Sequence, residues 1–419
     1  MLRTTLPSVA RAGPYPTVTC RSRGDTVPRM APNPDLRGRH VVCFSWRDTS
    51  NPEGGGAELY LERIAAGLVE AGARVTIYCA EHGLAPRDEV RDGIRYVRRG
   101  SKMGIYARGL LLLLTRRFGA VDAVVDVQNG LPFFTRLGTH APIIVLVHHV
   151  HREQWPVVYP GLVGRIGWFI ERRVAPRLYR GCQYVAVSTA TRDELVEQGV
   201  VPDYLAVVHN GTDPAPALVG MRTAHPSLCV VGRLVPHKRV EHAIDAWDEL
   251  RRSIPDLTLT VAGSGWWEHE LTDHAAAALA RHGLTPDDGA ITFEGHVTEE
   301  RKHEIYASAW AMALPSLKEG WGLVVGEAGM HGTPTVAYHA AGGTRESIAH
   351  DVSGLLARDR ADFTASLGRV LQDRELWDRL SEGSREMSHR FTWGRAQRSF
   401  ATVVSEVLAR HHLAGQDPQ

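Results

Sequence analysis

Residues 318–327 read KEGWGLVVGE, with a carboxylate at Glu319, a second at Glu327, a Gly-Trp-Gly turn after the first and an apolar run before the second. A proton-sharing pair or a metal site needs its carboxylates within a few ångströms. Were the whole stretch helical, these two would stand about 12 Å apart along the axis, too far for either role. The stretch follows AWAMALPS, an apolar segment that reads as a strand, so residues 318–322 form a loop and Leu323 opens a helix that carries Glu327. The free amides and positive dipole end of such a helix suit a phosphate, and Gly320 and Gly322 let the backbone approach it closely. Ionised Glu319 and Glu327 on either side suit hydroxyl donors. A phosphate between two polyols is a sugar nucleotide. On these ten residues alone, a capping Glu319 and a solvated Glu327 explain the pattern equally well.

Other residues could share the work. In GRLVPHK, Arg233 and Lys238 follow a strand, and a rigid guanidinium fork with a mobile ammonium would neutralise a departing diphosphate; alone, two surface cations are a weak signal. Gly54, Gly55 and Gly56 follow the apolar segment HVVCFSW and open a helix, as a phosphate-cradling loop or a tight turn with positive φ would. The run is neither GxGxxG nor a loop ending in GK[ST], which counts against NAD and ATP. His148, His149 and His151 cluster in VHHVHREQW. In an extended segment His149 points away from its two neighbours and no acid or cysteine stands at a useful offset, so zinc is disfavoured. One imidazole at the strand end reaching a substrate hydroxyl is the preferred reading. Arg165, Arg172, Arg173, Arg177 and Arg180 interleave with Trp168, Phe169 and Tyr179, which suits a helix lying on an anionic membrane surface. A packed helix with a solvated basic face fits slightly better.

These groups need elements to position them. At 419 residues the chain suits two domains, and 43% hydrophobic and 23% charged residues with a net charge of +1 mark a soluble globular protein with no demand for nucleic acid. Cys20, Cys43, Cys79, Cys182 and Cys229 are scattered, fit neither a disulfide framework nor a zinc knuckle, and suit a reducing cytoplasm. The longest leucine run, residues 110–114, is far short of a membrane span. Residues 1–36 are basic and rich in Pro, Ser and Thr, and read as a disordered extension; a transit peptide or a true start at Met30 are the alternatives. From His40, strand, glycine turn, helix and strand follow in the βαβ manner, and the pattern restarts after HNGTDPAPA. The expected organisation is a first Rossmann-like acceptor domain over 37–212, a second Rossmann-like donor domain over 217–392, and a helix over 393–412 packing back on the first. The ligand belongs between them, at the carboxyl ends of the strands.

Taken in order, GGGAELYLERIAAGLVEAGARVTIY, VHH, VAVSTATRDEL, VHNGTD, VVGRLVPHKRVEHAIDAW, VAGSG, ITFEGHV, the KEGWGLVVGE stretch and GTPTVAYHAAGGTRESIAHDVSGLL resemble the retaining glycosyltransferases of family 4, over residues 38 to 412. The resemblance implies the GT-B fold, an α/β arrangement of two doubly wound domains facing across a cleft. It also implies a metal-independent hexosyl transfer from a nucleotide diphosphate sugar, with no cofactor, to a glycan, lipid-linked or small-molecule acceptor. Glu319 would then bind hexose hydroxyls, and the backbone of Gly320, Trp321, Gly322, Leu323 and Val324 would hold sugar and phosphate. Glu327 would bind the ribose, Arg233 and Lys238 the diphosphate, and Gly295 the base. Gly55 and Gly56 would approach from the first domain, with His148, or else His149, near the reacting carbon. Trp321 stands where the family usually has Phe. A sugar-nucleotide epimerase, a phosphorylase and a catalytically silent binding subunit remain as alternatives.

Overall fold

The computed structural model describes residues 34–101, 103–216 and 221–414. The first strands are β1 (His40–Phe44), β2 (Arg74–Cys79), β3 (Asp88–Arg91), β4 (Ile94–Arg98), β5 (Ala123–Gln128), β6 (Ile143–Val147), β7 (Gln183–Ala186) and β8 (Leu205–Val207). They form one sheet in the order β3-β4-β2-β1-β5-β6-β7-β8, parallel except for the β3–β4 pair. A second sheet holds β9 (Ser227–Val231), β10 (Thr258–Ala262), β11 (Ile291–Gly295), β12 (Ala311–Leu314), β13 (Thr335–Tyr338) and β14 (Gly354–Ala357), in the order β11-β10-β9-β12-β13-β14 and wholly parallel. The central strands explain this arrangement. Every residue of IIVLV in β6 and AMAL in β12 is buried, which is what a parallel strand covered by helices on both faces requires.

In each sheet the strand order reverses beside the first strand of that half, β1 next to β5 and β9 next to β12. Loops diverge at such a switch point and leave a crevice at the carboxyl ends. The glycine run follows β1, Arg233 and Lys238 follow β9, and Glu319 follows β12.

The last helix, Trp393–Ala414, returns to the first sheet: Trp393, Phe400 and Val404 share one apolar cluster with Tyr60 and Leu61 of the helix Gly56–Glu70. The approach is close enough that a Cβ on Gly67 would lie 2.4 Å from Cβ of Gln397. Of the residues read as a disordered extension, 1–33 lie outside the described residues. Leu36 is part of the fold, buried in the same cluster with its amide donating to the Ala71 carbonyl at 2.9 Å. Among the described residues no helix is long and apolar enough to cross a membrane.

Candidate active site

The loop after β12 is fixed on both sides. Glu319 donates its amide to the Ala341 carbonyl at 2.7 Å and accepts from the Gly343 amide at 3.0 Å. Gly322, at φ +84°, precedes the helix Leu323–Met330, a conformation that disfavours any residue with a Cβ. Gly320 lies against the first half of the chain, where a Cβ would stand 2.2 Å from the His148 carbonyl oxygen. Leu323 reaches the same way, its Cδ1 only 2.9 Å from a Cβ built on Gly56. Among the described residues, the amides of Gly320, Trp321, Gly322, Leu323 and Val324 have no hydrogen-bond acceptor. Five adjacent donors at a helix start form an anion cradle.

Two cations border this cradle. Lys238, at the end of the turn Pro236–Lys238, donates from Nζ to Glu319 Oε1 at 2.6 Å. Burial pushes the Glu319 carboxyl up, but the Lys238 charge and hydrogen bond, with help from Ser316, outweigh it and hold its pKa below the usual carboxylate value. The Arg233 side chain forms no hydrogen bond or ion pair among the described residues, while its carbonyl accepts from the Val235 amide at 3.1 Å. Its Nε is 3.8 Å from a Cβ built on Gly55, and desolvation, then the Arg47 charge, lower its pKa from the ordinary arginine value. A guanidinium in the cleft without a carboxylate is a ready partner for an anion.

The glycine run is not a positive-φ turn. None of Gly54, Gly55 and Gly56 lies in the left-handed region, and Gly55 is extended at φ −162°. The requirement is close approach: a Cβ on Gly54 would sit 2.8 Å from the Asn51 carbonyl oxygen. Gly55 donates its amide to Glu58 Oε2 at 2.8 Å.

The expectation that His149 points away from both neighbours does not hold for His151: positions i and i+2 share a face of an extended segment, and the two rings lie 4.1 Å apart just past the end of β6 at Val147. His149 Nε2 is hydrogen-bonded to Gln154 Oε1 at 2.8 Å. The carboxylate that sequence spacing did not offer arrives from Glu171, which accepts from the His151 amide at 3.0 Å. Among the described residues no group of three or more His, Cys, Asp or Glu side chains is placed to hold a metal. His148 is buried edge-on to Tyr60 with ring centroids 5.3 Å apart, and its Nε2 has no partner. Burial, then the His151 charge, pushes its pKa down to about 3, so the ring is neutral at physiological pH.

Glu327 is held in place, accepting from the Tyr306 hydroxyl at 2.8 Å and Lys302 Nζ at 3.3 Å. Gly295 ends β11 at φ +62° with open space where a Cβ would point. The Trp321 side chain is a packing group. The indole is 3% exposed and packs on His209 and Phe391, with ring centroids at 4.9 Å and 4.7 Å, so only its backbone is left for a ligand.

Several polar groups here were missed in the sequence. Gln128, the polar end of the apolar strand AVVDVQ, is buried with an unpartnered Oε1, one register step from His148. Ser316 Oγ is likewise buried, beside Glu319, whose pKa it helps to lower. Glu346 of GGTRES joins the halves: it accepts from the Ala190 amide at 3.1 Å, at the start of the helix Thr189–Glu197, and from His209 Nε2 at 3.0 Å. Lys318 makes a second such link, to Glu194. No spacing rule joins positions more than 100 residues apart, so these contacts carried no local signal.

Two facing Rossmann-like halves with an anion cradle between them define a GT-B architecture. Residues 54–216 match the family model for Glycosyltransferase Family 4 and residues 220–387 that for glycosyl transferases group 1. The chain belongs to the group 1, family 4 glycosyltransferases. Glycogen synthase of Mycobacterium tuberculosis is 31% identical over 242 residues, a match covering 56% of each chain, so the chain spans about half the length of the first curated relatives it matches. Sucrose-phosphate synthase of Thermosynechococcus elongatus has the same fold, at TM-score 0.73 and 17% identity over 89% of this chain and 100% of the other. So does Anabaena HepE in complex with UDP-glucose, at TM-score 0.68 and 18% identity over 88% and 99%.

Proposed function

We propose that the chain is a retaining hexosyltransferase that moves a hexose from a nucleotide diphosphate sugar to an acceptor hydroxyl. The observation that carries this is the convergence of unpaired Arg233, the Lys238–Glu319 pair and five free amides where the two halves meet. Such a cluster stabilises a departing diphosphate, since fixed donors in a sheltered site gain most where charge develops. The bond from the anomeric carbon to the diphosphate oxygen breaks as that oxygen accumulates charge. The acceptor oxygen bonds to the anomeric carbon on the same face, and its proton passes to the leaving phosphate. The chain's own cations supply the positive charge in this reading, with no metal or other cofactor. In this reading Glu319, paired with Lys238, and Glu327, held by Tyr306 and Lys302, serve as grips on hexose and ribose rather than as the acid and nucleophile of a glycosidase.

The uridine nucleotide bound in Anabaena HepE makes UDP-glucose the first donor to try. The acceptor is a glycan, a lipid-linked sugar or a small polyol, and the described cysteines, all buried free thiols, suit work in the cytoplasm. Titration with UDP, GDP and ADP hexoses, followed by NMR of the product's anomeric configuration, tests the reading. Failure of every donor to bind, inversion at the anomeric carbon, or turnover that requires free phosphate would overturn it.

A further inference from the structure

The helix Leu162–Phe169 is arranged the wrong way round for a helix facing water. A surface helix of a soluble protein turns its large apolar side chains inward. Here the buried positions are Gly164 and Gly167, while Leu162, Val163, Ile166 and Phe169 are 70%, 62%, 50% and 59% exposed. The glycines are needed where they are: a Cβ on Gly167 would lie 2.3 Å from the Trp155 ring, and one on Gly164 2.1 Å from the Tyr159 carbonyl oxygen. The orientation is locked by Glu171, which is 1% exposed and accepts from Trp155 Nε1 at 2.5 Å while holding the His151 amide.

Charge supplies a second, independent observation. Residues 155–180 contain five arginines and a single acid, the buried Glu171. Arg165, Arg172, Arg173, Arg177 and Arg180 are all exposed, and among the described residues none of them pairs with a carboxylate. The contacts they do make leave the charge intact: Arg177 donates to the Arg173 carbonyl at 2.7 Å, and Arg172 lies 5.9 Å over the Trp168 ring. Arg173 and Arg177 also line, with Phe169, Val174 and Leu178, an open groove of about 670 Å3. A solvated basic face accounts for the arginines but not for four large apolar side chains beside them.

We propose that this face docks on an anionic bilayer surface, with the apolar side chains of Leu162–Phe169 in the headgroup boundary and the arginines on lipid phosphates. Apolar area and uncompensated positive charge on one short helical segment are the two contributions that such binding sums. The inference goes beyond the transferase reading and does not rest on it, because it uses none of the cleft residues.

Sedimentation of the full chain with vesicles tests it. The expected result is binding to phosphatidylcholine mixed with phosphatidylglycerol, little binding to phosphatidylcholine alone, and release by salt. Arg173→Gln with Arg177→Gln should weaken the anionic binding roughly thirtyfold, and Ile166→Glu with Phe169→Glu should abolish it. All four positions are exposed or line an open groove, and unchanged thermal melting and nucleotide-sugar affinity would show each variant folded. Wild type that binds neither vesicle, or both alike at any salt, would overturn the proposal, as would variants that bind like wild type. Dimerisation abolished by Phe169→Glu, without vesicle binding, would assign the face to a second copy and also overturn it.

Discussion

Lys238 donates to Glu319 Oε1 at 2.6 Å, so two groups that the family resemblance assigns to different parts of a donor form one ion pair. Both side chains are largely shielded, at 22% and 11% exposure. An ammonium that already holds Glu319 can turn towards an anion without leaving it, since it has three donors and a flexible stem.

Replacing Lys238 with Ala should lower turnover with a nucleotide sugar by about 10²–10³-fold, the usual effect of removing one charge-stabilising donor. It also leaves Glu319 buried without its principal cation, so the carboxyl should titrate higher than in wild type. A double variant with Glu319→Gln should lose less activity than the two single losses multiplied, because the partners act together. Strict additivity in steady-state kinetics would show the pair to be incidental.

Three glycines make a graded test of the joint between the halves. At Gly320 an added Cβ would meet the His148 carbonyl oxygen at 2.2 Å, and backbone cannot move aside cheaply, so Gly320→Ala should destabilise by about 1–3 kcal/mol and separate the halves. At Gly56 the obstacle is Leu323 Cδ1 at 2.9 Å, the end of a flexible side chain, so Gly56→Ala should stay within about 1 kcal/mol of wild type. At Gly55 the nearest atom is Arg233 Nε at 3.8 Å, which leaves room for Ala in the protein but takes it from a ligand. Gly55→Ala should therefore keep its melting temperature and raise the donor KM. Calorimetry with donor titration checks the order, and equal stability for Gly320→Ala and Gly56→Ala would contradict it.

The sheets were legible because β6 and β12 are runs of apolar residues bounded by glycine, and such runs report covered parallel strands without outside help. The residues that follow the strands were legible for the same reason: Arg233 and Glu319 take their place from chain order. What the sequence hid depends on contacts made across the fold. The proximity of His149 and His151 follows from their i, i+2 spacing, but the Glu171 carboxylate that holds the His151 amide comes from 20 residues further on, where no spacing pattern points to it. The glycine run was recognised, but of its two readings the positive-φ turn does not hold: the positions are set by the proximity of Asn51, Arg233 and Leu323.

Glu346 joins the second half to the helix Thr189–Glu197 of the first, and its electrostatics give that junction a pH dependence. Burial raises its pKa, but hydrogen bonds from His209, the Thr189 side chain and the amides of Thr189 and Ala190 pull it from 4.5 down to about 2. A carboxyl depressed in the folded state contributes stability above pH 4.5 that is lost as pH falls towards 2. The shift corresponds to about 3 kcal/mol, so Glu346→Gln should be less stable than wild type by about that amount at pH 7, with the difference shrinking below pH 4.5. Denaturant unfolding of both proteins from pH 7 to pH 3 measures it. A difference that is constant across this range would remove the charge from the explanation.

Trp321 separates packing from ligand contact within one loop. The resemblance gives Trp321 a backbone role in the donor loop, and its ring lies between His209 and Phe391, which reach it from 112 residues before and 70 residues after. Its carbonyl is also fixed, accepting from Ser347 Oγ at 2.8 Å. The indole thus sets the position of the Glu319 loop from behind. Trp321→Ala should destabilise by about 3–5 kcal/mol, the usual range for emptying a buried aromatic site. Trp321→Phe keeps an aromatic at the joint and should retain most of the stability and the wild-type donor KM. If Trp321→Phe instead raised KM tenfold with an unchanged melting temperature, the indole would be touching the donor, and the loop's aromatic would have to be moved from the joint to the site.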